Sequence, residues 1–84
     1  LIDFFSDTCM PCRMMAPVVA SLAGRRRGDL TVIKVNTDVH RELAASFRIR
    51  AVPTFVVFRK VYEVGRVSGA MNETDFSLWV ASKA

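Results

Sequence analysis

The sequence predicts a small α/β protein with elements in the order β-α-β-α-β-β-α, forming a mixed four-stranded sheet with helices on both faces. Three observations carry this. A short apolar run at 1–5, a helical pattern at 10–23 and a β-branched run at 30–36 make a βαβ unit, whose strands are parallel and whose crossover is right-handed. Two strand-like runs, 54–59 and 63–69, lie close enough to pair as an antiparallel hairpin. An amphipathic stretch at 73–82 then supplies a covering helix. The 84 residues are 51% hydrophobic, enough for one core. With no repeat, linker or low-complexity segment, residues 1–84 read as a single domain.

Each element has its own signal. "LIDFF" (1–5) is a strand buried on both faces that nevertheless encloses a carboxylate, Asp3. From Met10 to about Ala23 the apolar positions Met14, Met15, Val18, Val19, Leu22 and Ala23 follow helical spacing. Pro11 fits the first turn, where no amide partner is lost. Pro17 is expected to kink the helix and Gly24 to end it. "LTVIKVN" (30–36) is a strand with Lys34 embedded in it. Asp38 is expected to cap a second helix, "VHRELAASF", whose positions Val39, Leu43, Ala44 and Phe47 share a face. Pro53 heads the strand Thr54–Arg59, as suits a residue without a ladder donor. The last helix, from about Glu73 to Ser82, is capped by Asn72 or Thr74 and buries Phe76, Val80 and Trp79.

Several function classes find little support. The net charge is +4, concentrated at Arg25-Arg26-Arg27 in a Gly-bounded connection that reads as a solvated loop. No recognition element stands beside it, so no nucleic-acid partner is expected. The tripeptides "RGD" (27–29) and "NET" (72–74) are short enough to arise by chance, and the second reads better as a helix start. No apolar run approaches the ~18 residues of a membrane span, and no leader-like pattern precedes the first strand. With no initiator Met at Leu1, that start says nothing about the compartment.

The only two cysteines are Cys9 and Cys12, in "SDTCMPCRMMAP". A zinc site needs about four ligands, whereas the chain adds only His40, on a different element. A purely structural staple across so short a loop removes little chain entropy. A redox couple suits the local physics. A helix beginning at Cys9 brings Cys12 round to the same face one turn on, so the sulfurs can meet. The helix N-terminus favours a thiolate at Cys9, while Cys12 is shielded. Thiol–disulfide exchange needs that asymmetry, one sulfur to attack and one to resolve. A C-x-x-C beside a βαβ pattern is itself a known redox signature.

These residues resemble the thioredoxin family over nearly the whole chain. "IDFFSDTCMPCR" is similar to the family's V-D-F-W-A-x-W-C-G-P-C-K, and Pro17 stands where the family has a proline after the second cysteine. "VIKVNTD" resembles V-x-K-V-N-x-D, "FRIRAVPTFVVF" resembles Y-x-I-R-x-I-P-T, and Gly69 in "VSGA" matches V-G-A. The resemblance implies a thioredoxin-like fold reduced to its minimal core. It also implies a thiol–disulfide oxidoreductase that reduces protein disulfides through a Cys9/Cys12 dithiol–disulfide cycle. Cys9 would attack and Cys12 resolve. Asp3 matches a buried carboxylate that accepts the Cys12 proton, and Lys34 a lysine beside it, although a plain Asp3–Lys34 ion pair is an equal reading. Met10, Pro11, Val52, Pro53 and Gly69 would contact substrate. Pro53 resembles a cis-proline that leaves the Val52 backbone free to pair with an extended segment.

No cofactor beyond the Cys9–Cys12 disulfide and no metal is implied. The partners implied are protein disulfides and a thioredoxin reductase or related electron donor, in the cytoplasm. The chain also departs from the family. Met10 stands for Gly, Thr8 and Phe5 for Trp, and Val61 for a turn Gly. The family also carries a strand and helix before "LIDFF". A monomer is expected; if this start is natural, an exposed apolar edge on the first strand invites a strand-swapped dimer. Two rival functions remain: a disulfide oxidase or isomerase in an oxidising compartment, and a binding module without turnover.

Overall fold

A computed structural model describes residues Leu1–Ala84. The elements are β1 (Ile2–Phe5), α1 (Met10–Arg25), β2 (Ile33–Asn36), α2 (Arg41–Ser46), β3 (Thr54–Arg59), β4 (Tyr62–Ser68) and α3 (Glu73–Lys83). One sheet runs in the order β2-β1-β3-β4. β1 and β2 are parallel, and β1–β3 and β3–β4 are antiparallel. The expected mixed sheet and hairpin are therefore present. The expected edge is displaced, however. β1 is interior, bonded on both sides, and the edges are β2 and β4. Alternation along β1 leaves both faces covered, which is why its run is apolar.

The two faces hold separate cores. On one, Met15, Val19 and Leu22 of α1 and Phe76 and Val80 of α3 pack against Phe55, Val57 and Leu1. Phe55 and Phe76 meet edge-on with ring centroids 4.8 Å apart, a preferred aromatic geometry. On the other, Phe4, Val35 and Val56 are covered by Phe47 and Ile49, just beyond α2.

Several boundaries differ from the sequence expectation. α1 does not end at Gly24 but runs on to Arg25, with Pro17 inside it. Arg25 is thereby a helical residue rather than part of a solvated loop. Its guanidinium donates to Ser21 Oγ, Glu73 Oε1 and Ser77 Oγ, tying α1 to α3. β2 begins at Ile33, because Leu30 and Val32 turn into the first core as irregular chain. Asp38 caps nothing: its own N–H donates to Asn36 Oδ1, and α2 starts later, after His40. Val39 falls before the helix and is exposed, as is Leu43 within it, while Ala44 is buried. In the hairpin, Lys60 takes the left-handed conformation at φ 56°, so Val61 beside it needs no glycine. α3 begins as expected, with Asn72 Oδ1 accepting from the Asp75 N–H at 2.8 Å.

Phe76 is fully buried, whereas Leu78 on the same helix is 65% exposed. Phe76→Ala is expected to lower stability by about 3–5 kcal/mol in urea unfolding of the oxidised protein. Leu78→Ala should change it by no more than about 0.5 kcal/mol. Similar effects at both positions would refute this assignment of the core.

Candidate active site

Helix α1 starts at the cysteine pair. Cys9 is the N-cap, with extended backbone (φ −90°, ψ 112°), and Pro11 lies in the first turn. The Cys12 N–H donates to Cys9 Sγ at 3.1 Å. This sulfur thus does what a capping oxygen does elsewhere, satisfying one of the orphan amides of the helix end. Cys9 and Cys12 form a disulfide with Cα atoms 5.2 Å apart, inside the range a disulfide requires. Cys9 is half-buried, and Cys12 is only 7% exposed. The loop before Cys9 is held by Arg13, whose Nε and Nη2 donate to the Asp7 carbonyl at 3.2 and 2.9 Å.

The start of β3 faces this pair. Cys9 Sγ lies 3.5 Å from the Val52 carbonyl oxygen. In the disulfide this sulfur has no proton, so the approach is a contact; a reduced thiol there is placed to donate. The Val52–Pro53 peptide is cis. Neither the N–H nor the carbonyl of Val52 bonds another backbone group, which leaves a short unpaired edge beside the sulfur. Thr54 fixes the loop: its hydroxyl donates to the Ala51 carbonyl at 2.6 Å and lies 2.7 Å from Ser68 Oγ. Gly69 joins this edge by donating its N–H to the Pro53 carbonyl at 3.0 Å. Its φ of +96° suits glycine rather than a side-chain-bearing residue.

Cys9, Cys12, Val52, Pro53 and Gly69 are thus brought together by contacts. Met10 and Pro11 are also at the site and point outward, with Met10 62% exposed. Pro53 is itself fully buried, so what this loop offers at the surface is the backbone of its neighbour.

Asp3 lies on the α1 side of β1, since it alternates with Phe4 and is paired with Lys34 across the parallel ladder. It is 3% exposed. Burial pushes its carboxyl above the ordinary carboxylate range, and the Lys34 charge only partly opposes this. The ion-pair reading does not hold, because no salt bridge joins Asp3 and Lys34. The Lys34 ammonium instead sits over the Phe5 ring, 4.9 Å from its centroid, a cation–π contact. Phe5, Ser6, Cys12, Arg13 and Lys34 line a cavity of about 260 Å³, which joins the buried cysteine to the lysine. Sequence reasoning noted Phe5 only as a replaced Trp. The signal that places it was available: it lies two residues from Asp3, hence on the same strand face.

No group of three or more His, Cys, Asp or Glu side chains is arranged to hold a metal ion. No helix is long and apolar enough to cross a membrane.

A disulfide at the N-terminus of a helix, beside a cis-proline loop, with a buried carboxyl on the sheet face that this helix covers, defines a dithiol–disulfide exchange centre. Comparison with known proteins agrees. The thioredoxin family model matches residues 1–82. The chain is 42% identical over 77 residues to thioredoxin 1 of Nostoc sp., covering 92% of this chain and 72% of that one. It is 40% identical over 70 residues to a thioredoxin of Mycobacterium tuberculosis, covering 83% of this chain and 60% of that one. The X-ray structure of Fasciola hepatica thioredoxin superposes with a TM-score of 0.90 at 38% identity, covering 99% of this chain and 78% of that one. The chain belongs to the thioredoxin family, and it is a thiol–disulfide oxidoreductase of the protein-disulfide reductase type.

The raised Asp3 pKa makes a prediction about stability. The folded protein holds the Asp3 proton to higher pH than the unfolded chain does. The stability that Asp3 lends is therefore complete below the ordinary carboxylate range and is lost as pH rises through its folded pKa. Asp3→Asn should be more stable than the parent at neutral pH, by a margin that shrinks as pH falls through that window. Urea unfolding of both proteins across pH would detect it. A margin that does not change with pH would contradict the assignment.

Proposed function

We propose that the chain reduces protein disulfides with Cys9 as the attacking sulfur and Cys12 as the resolving one. The observation that carries this is the cap: Cys9 Sγ accepts the Cys12 N–H at the end of α1 while Cys12 is buried behind it. A thiolate at Cys9 gains from the same amide and from the helix dipole. Cys12 gains no exposure to an outside disulfide.

In the cycle, Cys9 thiolate attacks one sulfur of a substrate disulfide and the other sulfur leaves as a thiolate. The ionised Asp3 carboxylate takes the proton of Cys12, a role suited to a carboxyl whose proton affinity burial has raised. Cys12 thiolate then attacks Cys9 Sγ, releasing the second substrate thiolate and closing the Cys9–Cys12 disulfide. Two electrons have passed to the substrate. Lys34 supplies positive charge near the cavity where Cys12 ionises. The Val52 edge, with Met10, Pro11, Pro53 and Gly69 around it, holds the substrate in extended form by strand addition. The redox group is the cysteine pair itself. Its electrons come from a thioredoxin reductase or related donor, and the direction of flow suits a reducing compartment, for which the cytoplasm is proposed.

Incubation of Cys12→Ser with oxidised insulin should accumulate a mixed disulfide through Cys9 that is stable to gel electrophoresis and reversed by dithiothreitol. Cys9→Ser should form none and lose turnover by about a thousandfold or more. A Cys9→Ser protein that reduces insulin at the parent rate would overturn the proposal.

A further inference from the structure

The chain has four methionines, and three of them, Met14, Met15 and Met71, line one groove. Met10, Met14 and Met15 lie on the first turns of α1. Met71 follows Gly69 after β4, and its N–H donates to Met15 Sδ at 3.4 Å. Met10 and Met14 are four residues apart, so they share a helix face, and they are 62% and 61% exposed. Met14, Met15, Val18, Ala70, Met71 and Asn72 together line a groove of about 440 Å³ with no charged side chain.

From this cluster we infer that the methionine groove is a specificity pocket, taking a bulky apolar side chain of the disulfide substrate close in sequence to its reacting cysteine. The inference rests on Cys9 being the attacking sulfur. The occupant follows from continuity with that site. Gly69, at the head of the Ala70–Met71 wall, is bonded to Pro53, whose neighbour Val52 touches Cys9. Met14 is five residues beyond Cys9, about 7.5 Å along the helix axis. An extended peptide covers that distance in about two residues. An uncharged wall rejects a charged occupant, because a charge there would lose its hydration without gaining a partner. Flexible, polarisable methionine side chains reshape around apolar groups of different form. The pocket therefore selects for apolar bulk rather than for one side chain.

The test compares three substrates: a peptide disulfide with Leu two residues from its cysteine on both sides, the same peptide with Ser there, and hydroxyethyl disulfide, which is too small to reach the groove. The parent protein should prefer the Leu peptide by about tenfold in kcat/KM, the scale expected for burying one such side chain. Met14→Gln/Met71→Gln should abolish most of that preference through KM and leave the rate with hydroxyethyl disulfide unchanged. Met14→Leu/Met71→Leu should retain the preference. A Gln variant that keeps the preference overturns the inference. So does one that slows all three substrates equally, since the groove would then only support α1. A parent dimer in sedimentation that the Gln variant dissociates would assign the groove to a second copy instead. No reaction of the parent with hydroxyethyl disulfide would overturn the reading of Cys9, and the pocket with it.

Discussion

The site depends on one hydrogen bond, from the Cys12 amide to the Cys9 sulfur. It makes the first cysteine the cap of the helix that carries the second. A capping residue has extended backbone and points its side chain back over the first turn, so this bond places one sulfur at the surface and the other beneath it. The asymmetry that exchange chemistry needs is thus a consequence of where α1 begins. Met10 and Pro11 turn the chain between the two, and Pro11 gives up no hydrogen bond because first-turn amides have no intrahelical partner.

The rest of the fold holds that helix end against two other parts. Met15, Val19 and Leu22 anchor α1 on the sheet through Phe55 and Phe76, and Arg25 fastens its far end to α3. Beneath the start of α1, β1 supplies Asp3 and Phe5 from one face, and opposite it Thr54 and Ser68 lock the loop that presents Val52. The buried carboxyl is a cost to stability that an apolar residue at this position would avoid. The parting of Lys34 from Asp3 preserves that cost, since a close ion pair would hold the carboxylate ionised. Phe5 takes the ammonium instead.

Local signals made much of this legible. The bounds of β3, the Asn72 cap and the Cys9 helix start could be read because each rests on residues adjacent in sequence: a proline before a β-branched run, an amide oxygen three residues before its partner, a proline after a cysteine. What could not be read depends on neighbours across the fold. Leu30 and Val32 have strand composition but serve the core as irregular chain, because β1 offers a partner only from Ile33 onward. Val39 and Leu43 carry helical spacing, yet α2 starts only after His40 and buries Ala44 rather than Leu43. The identity of the edge strand follows from sheet order, which periodicity does not encode. The Lys34–Phe5 contact required the parallel register of β1 and β2, and the methionine cluster required knowing that the end of β4 returns to the side of α1.

The most direct measurement is the equilibrium reduction potential of the Cys9–Cys12 pair, taken in dithiothreitol and glutathione buffers with trapping by alkylation. Strong oxidants owe their potential to a heavily stabilised reduced form. Here Cys9 Sγ accepts a single amide hydrogen bond, and the nearby ammonium of Lys34 is engaged by Phe5. The expected value is therefore near −270 mV, where reducing thioredoxins lie. A value between about −180 and −120 mV would contradict it, placing the pair among catalysts that form or rearrange disulfides.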